Sequence, residues 1–350
     1  MAVEVTSGSV TQEALWQIDI GEPVLAIASL AGRVIIGGSE GRILVADTDG
    51  RAQLQLALDD FLLAMATSPD GAQLAAGGSQ RLRLFDLVTG SPLADHPHNW
   101  CGCLAWAAKS GSLAAGDARL VRIYAADGRL RWTSPPLLST VAGLSWMRDD
   151  GRRLAAAAYQ GVSIFEPDAD RATAHLPAPG AIAGIAVSPN GRWVVGGSQD
   201  ATLHGWNVRD GSDFRMSGFL KSVSRPSFEP SGRWMCCHSG DTVVCWDFSG
   251  SGPTGRDGVL AEGHRANVTA LTWARTGSSV PILVSGDAAG DVALWRLGPT
   301  ARSGGQISPI WTTATGDPVD ALAATSDGIF SGHRSGAVRY WLPPWPRGSR

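Results

Sequence analysis

Lysine is nearly absent: Lys109 and Lys221 are the only two in 350 residues. Ala108 precedes the first and Leu220 the second, which excludes a phosphate-binding loop ending in Gly-Lys. No run of Lys or Arg could track a phosphate backbone, and a net charge of −3 argues against an electrostatic nucleic-acid binder. No uninterrupted apolar run reaches membrane-spanning length. Residues 1–20 lack a basic segment followed by an apolar one, so no secretory signal is read and cytoplasmic residence is expected. Cysteine is sparse as well. Cys101, Cys103, Cys236, Cys237 and Cys245 are odd in number and fit free thiols better than a disulfide framework. A convincing long helical period is missing throughout.

What is present is a unit of about forty residues that recurs eight times. Each copy closes on a short apolar run, ending at Ala46, Phe85, Tyr124, Phe165, Trp206, Trp246, Trp295 and Trp341. The fifth copy is the clearest. AIAGIAVSPNG, RWVVGGSQD and ATLHGWN read as successive hairpin strands punctuated by Pro-Asn-Gly and Ser/Asp turns. The first strand of each set is almost continuously apolar, as in VLAIAS (24–29) and ALTWA (270–274), which is expected of strands packed on both faces. A fourth, outer strand lies between copies: QLQLAL (53–58), LRWTS (130–134) and PIWTT (309–313). No outer strand follows Trp341, whereas ALWQIDI (14–20) precedes the first copy. The strand count therefore closes if ALWQIDI pairs with the last set. The reading is an all-β, closed β-propeller of four-stranded blades, eight in number with seven as the alternative, its ring closed by the N-terminal strand. Residues 1–13 form an N-terminal tail, 14–342 one propeller domain, and 343–350 a Pro-rich C-terminal tail.

SQDATLHGWN (198–207) resembles the repeat ending of the tryptophan–aspartate (WD) repeat family almost position for position. Gly263-His264 followed by Trp295 matches the family's Gly-His…Trp frame, and FDLVTGSPL (85–93) its strand-turn-strand exit. The resemblance runs from Leu15 to Trp341 but is degenerate: most copies lack Gly-His. It implies structural roles for Asp200, Trp206, Trp246, His264, Ser285, Trp295 and Trp341. His264 is expected to hydrogen-bond Ser285, in a network left incomplete because Ala289 stands where the family has Asp. A second resemblance, to quinone-enzyme-type propellers, rests on YAADGRLRWTS (124–134) alone.

Candidate chemistry is scarce. His96, His98, Cys101 and Cys103 crowd into eight residues and could offer zinc two imidazoles and two thiolates. Their spacing does not match a finger, and the reading is structural: the histidines in an exposed loop, the cysteines entering an inner strand. Cys236, Cys237 and Cys245 are read as core thiols, with Cys236 and Cys245 as possible cross-strand neighbours. GGSEG (37–41) satisfies a hydrolase nucleophile pattern but lies in a strand-to-strand turn, and GGS recurs at 77–79 and 196–198. No His-Glu-x-x-His occurs. Neither a cofactor, a metal nor a catalytic residue is assigned.

Function then falls to loops on a rigid ring. The outer-to-inner connections carry Phe61, Trp100, Phe219 and Arg265, the residue types that dominate interface hot spots, and these are the candidate partner-binding residues. The competing reading tucks Phe61 and Trp100 into the blades. Two stretches break the period, FSGSGPTGRDG (248–258) and GPTARSGGQIS (298–308), and are expected to be mobile exposed loops. The chain is read as a non-catalytic protein-interaction scaffold or sensor subunit that binds one or more proteins, not nucleic acid or membrane. Its Arg-over-Lys bias and abundant Ala and Gly imply a bacterial source. The alternative is an enzyme or small-ligand-binding propeller that uses the central channel.

Overall fold

A computed structural model describes residues 13–30, 32–274, 280–298 and 301–345. The expected tails 1–13 and 343–350 lie mostly outside these residues. Strands and turns account for all the regular structure described, and no α-helix occurs among these residues. Among the described residues no helix is long and apolar enough to cross a membrane.

The fifth copy shows how sequence makes a blade. Its strands 181–187, Trp193–Ser198, Leu203–Asn207 and Asp213–Met216 pair antiparallel in chain order, with Val187 opposite Val194, Trp193 opposite Asn207 and Trp206 opposite Asp213. The turn after the first strand is pinned by side chains. Asn190 Oδ1 accepts the Ser188 hydroxyl (2.8 Å) and the Arg192 N–H (2.9 Å), and Ser188 Oγ accepts the Trp193 N–H (2.9 Å). Gly191 takes φ = 67° there, a conformation that suits glycine.

The strands group into seven hydrogen-bonded sheets, where eight separate ones were expected. The difference lies at the junction of the fourth and fifth copies. Leu154–Phe165 and Ala174–Val187 are long strands that run through the junction, breaking register at Tyr159/Gly161 and Ile182/Gly184. They join two strand sets into one six-stranded sheet. The ring closes as expected. Trp16–Asp19 pairs with Ala337–Trp341, Trp16 standing opposite Tyr340 and Asp19 opposite Ala337. Trp16 stacks on Tyr340 at 5.5 Å and donates its indole N–H to Thr48 O (2.9 Å) on the following blade.

The core is divided among the seams between neighbouring strand sets. One cluster gathers Ile35, Val45, Leu62, Leu74 and Phe85; another gathers Trp234, Cys236, Val268, Leu283 and Trp295. Each fully buried side chain of this size contributes roughly 1.5–3 kcal/mol. The seams leave no room for a side chain on the second strand where the next set begins. A Cβ on Gly37, Gly77, Gly197, Gly286 or Gly332 would lie within 2.5 Å of Leu62, Cys101, Val223, Val319 or Val24 respectively. By register, the sixth copy carries His238 there, opposite Val243 as Gly286 is opposite Val292.

Two expectations are corrected. Cys236 and Cys245 are directly paired across the Trp234–Ser239/Thr242–Asp247 hairpin, Cα atoms 4.2 Å apart, and form a disulfide. Only Cys101, Cys103 and Cys237 are free. The period-breaking stretches, apart from the undescribed 299 and 300, are structured rather than loose. Gln306–Ile307 adds a parallel strand beside Val259–Ala261, and Ser303 Oγ accepts the Asp257 N–H (2.7 Å), tying one insertion to the other. Arg192 of the preceding blade reaches Gly250 O (2.7 Å), and Gly252 packs against Trp193. Backbone groups of the insertions are satisfied by neighbouring strands, which composition alone does not reveal.

Candidate protein-docking face

One end of the ring carries the outer-to-inner connections and the turns between second and third strands. Phe61 is placed there by its flanks. Leu58 and Leu62 are buried on either side, and the Asp60 carboxylate accepts the Ser79 hydroxyl (2.5 Å) and the N–H groups of Gln80 (2.6 Å) and Phe61 (2.8 Å). The loop is thus clamped with the Phe61 ring outside, 65% exposed. Trp100 sits between buried His98 and Cys101 at φ = 56°, its N–H bonded to Ser79 O (2.8 Å), and is 55% exposed. Neither aromatic tucks into a blade.

Phe219 is different. It is half-buried, edge-on to Trp246 at 5.9 Å, and the exposed position falls to Leu220 at 84%. Arg265 projects outward but is held by Asp291 through two hydrogen bonds of 2.6 Å, which raise its pKa. The sequence reading missed Leu138 (62% exposed) and Tyr159 (46%) on the same end. Leu138 follows the Pro135-Pro136 pair in the connection to the fourth copy, and Tyr159 lies at the register break. Every exposed large aromatic among the described residues therefore lies on this end.

The motif residues Trp295, Ser285 and His264 form one buried hydrogen-bonded chain, more complete than expected. The Trp295 indole donates to Ser285 Oγ (2.6 Å), Ser285 contacts His264 Nε2 (2.6 Å), and His264 Nδ1 lies 3.1 Å from Asp287. Asp287, two residues before Ala289, completes the network. It also accepts the N–H groups of Arg265, Ala289 and Asp291. Burial lowers the His264 pKa despite Asp287, leaving a neutral ring that accepts from Ser285 and donates to the carboxylate. In the last copy Trp341 donates to Ser331 (2.8 Å), which contacts His333 (2.9 Å). Trp206 donates to Pro177 O (3.2 Å) and stacks on His204, and Trp246 is buried. Asp200 accepts the Thr202 hydroxyl (2.6 Å) and Arg215 (3.2 Å), both of which lower its pKa.

The candidate metal quartet is not assembled as one. His98 is buried rather than in an exposed loop, its Nε2 2.6 Å from the Tyr124 hydroxyl and its Nδ1 3.2 Å from Gly116 O. His96 instead bonds Gly128 O (2.7 Å). Burial pushes the Cys103 thiol up to about 12 and raises Cys101 well above its ordinary value, so neither offers a thiolate. Among the described residues no group of three or more His, Cys, Asp or Glu is placed to hold a metal ion.

Eight inner chain segments surround the axial channel, which opens into a cavity of about 590 Å³, and a second cavity of about 1090 Å³ reaches from Ile27 and Leu271 to Thr325 and Asp327. The ring, its seams and the Trp–Ser–His–Asp chain define a propeller of the WD-repeat type. Residues 171–207 match the family model "WD domain, G-beta repeat", and the ring as a whole resembles propellers of that type.

Among curated proteins, the chain is 28% identical over 121 residues to the human kinesin-like protein KIF21B, covering 34% of this chain and 7% of that protein. It is 32% identical over 97 residues to the nuclear distribution protein PAC1 of Ajellomyces capsulatus, covering 27% and 21%. The chain thus spans less than a quarter of the length of either relative. Among solved structures, the computationally designed Ika8 protein superposes with a TM-score of 0.80 at 21% identity, over 95% of this chain and 100% of that one. The WD40 repeats of RRP9 give 0.63 at 16% identity, over 81% and 94%, and U3-55K gives 0.61 at 18%, over 82% and 93%. These likenesses are of fold.

Proposed function

We propose that the chain is a non-catalytic protein-interaction scaffold or sensor subunit that binds a protein partner through the end of the ring bearing Phe61 and Trp100. One observation carries this reading: the exposed aromatics Phe61, Trp100 and Tyr159, with Leu138 and Leu220, gather on that end. Rigid, desolvatable aromatics on clamped loops lose little entropy on binding and anchor interfaces. Phe219 and Arg265 serve as support, one packed on Trp246 and the other paired with Asp291. The partner is proposed to be protein rather than nucleic acid, on the net charge of −3 and the scarcity of lysine. The Arg-over-Lys bias and the abundant Ala and Gly support a bacterial source, and a cytoplasmic multiprotein complex is proposed as the setting.

The six-stranded sheet is proposed to count as two blades, giving eight. Its long strands each change register midway, and eight inner segments line the channel. The experiment is capture of the tagged chain from its native cell, followed by mass spectrometry, with wild type beside the Trp100→Ala and Phe61→Ala variants. A stoichiometric protein lost in both variants is the expected result. Co-purifying nucleic acid, or a partner retained by both variants, overturns the reading.

A further inference from the structure

Cys236 and Cys245 lie in the seam with the seventh copy, packed with Val268, Leu283 and Trp295, and neither reaches solvent. Cys237, the next residue, points to the other face of the sheet and into the seam with the fifth copy, beside Trp193 and Val195. Burial pushes its thiol well up, so it offers the pair no competing thiolate. The pair is a closed two-thiol system.

Its bond closes little chain. Nine positions separate the two cysteines, and the backbone pairing of the Trp234–Ser239/Thr242–Asp247 hairpin already spans them. Cross-links stabilise most over long loops, so this one is poorly placed to act by stability alone. In the proposed cytoplasmic setting thiols are kept reduced, and the disulfides that form there are mostly transient and redox-sensing. The cover over the pair is also thin. Cys245 lies opposite Val259 in an outer strand of three residues, Val259–Ala261, beyond which stands the two-residue strand Gln306–Ile307. Short edge elements of this kind open locally at low free energy.

The hairpin reaches the docking end. Ser239, the last residue of the strand that carries Cys236, accepts the Lys221 N–H (3.0 Å) and donates to the Lys221 carbonyl (3.1 Å) through its hydroxyl. The residue before Lys221 is Leu220, 84% exposed. Thr242 stands opposite Ser239, so the register that the cysteine pair fixes also sets where this clamp sits.

We propose that Cys236 and Cys245 are a reversible oxidation site that controls the Leu220 connection, standing as two thiols in the resting cell and joining when a low-molecular-weight disulfide accumulates. This rests on the docking-face and cytoplasmic readings and adds regulation to them. Once the outer strand opens, the thiolate of one cysteine attacks the reagent disulfide and expels one thiolate. The second cysteine's thiolate then attacks the mixed disulfide and expels the other. Two electrons pass from the cysteines to the reagent, and the two cysteine protons end on the two thiols released.

The test counts thiols. The tagged chain is acid-quenched in its native cell, alkylated under denaturing conditions and weighed by mass spectrometry, before and after the cells receive diamide to raise glutathione disulfide. Five alkylated cysteines are expected before and three after. The purified full chain is then compared by hydrogen exchange in reduced and oxidised glutathione. The peptide carrying Lys221 should exchange about threefold more slowly, or slower still, in the oxidised form. The two buffers compare one unmutated chain, so the outcome does not hang on a variant folding. A Cys236→Ala, Cys245→Ala double variant should keep the reduced rate in both buffers, and Cys237→Ala should respond like wild type. A bond already present in resting cells, five thiols after diamide, equal exchange in the two buffers, or a response lost in Cys237→Ala each overturn the proposal. None of these readouts needs a partner, so a failed partner capture overturns the docking reading and leaves them standing.

Discussion

The Tyr124 hydroxyl lies 2.6 Å from Nε2 of His98, in the place where the seventh copy needs a serine between its tryptophan and histidine. A phenol is long enough to reach the ring directly, and Ala115 occupies the strand position that Ser285 holds in the other copy. Tyr124→Phe leaves a buried His98 nitrogen unpaired and is expected to destabilise the fold by about 1–3 kcal/mol. Urea unfolding measures it; a shift below a few tenths would show that the contact contributes nothing net.

Acid should loosen the ring before the carboxylates titrate fully. Burial lowers the pKa of His98 to about 4, below the ordinary 6.5 that the unfolded chain recovers. Between those values the unfolded state binds more protons, so stability is complete above pH 6.5 and falls as pH drops toward 4. His238 acts in the same direction. A His98→Gln variant should flatten this part of the stability–pH curve, as read from melting temperatures at pH 7, 6, 5 and 4.

The seam glycines set a strict size limit. A Cβ at Gly77 would stand 2.5 Å from Cys101 Sγ and 2.6 Å from its carbonyl oxygen, and the latter is backbone that cannot swing away. Gly77→Ala is expected to cost about 1–3 kcal/mol. Cys101→Ala should recover only part of that cost, because the carbonyl clash remains. Thermal melts of the three variants decide the matter.

Binding and stability should separate on the aromatic end. Trp100→Ala and Phe61→Ala are expected to weaken partner binding tenfold or more with melting temperatures near wild type. Phe219→Ala, which strips a ring from Trp246, should lower stability first. Calorimetric titration beside differential scanning calorimetry distinguishes the two classes.

The repeat and the strand order are written locally, in alternation and turn residues, and the closing strand follows from the strand count. The partners of His98 and His264 follow from neither. Tyr124 and Asp287 lie 26 and 23 residues away and meet them only through the sheet register. Aligning by motif pointed at Ala289 and passed over Asp287. Composition likewise made loops of the two insertions, because a Gly/Ser-rich stretch does not announce a neighbouring edge strand such as Val259–Ala261. Sequence places each of the four candidate docking residues on its connection, but clamping by Asp60 and pairing with Asp291 decide which side chains stay exposed.

Trp16–Asp19 is made long before Ala337–Trp341, the strand it must lie beside, and Gln17 meets Arg339 across 322 positions of sequence. On the ribosome it therefore waits, solvent-exposed, while every other blade emerges. Its arrival converts a linear stack with two raw ends into a loop with none. Among the strands of the ring, the earliest made is the last to be seated, and a nascent chain stalled before residue 337 should hold nearly all its blades and still lack a finished ring.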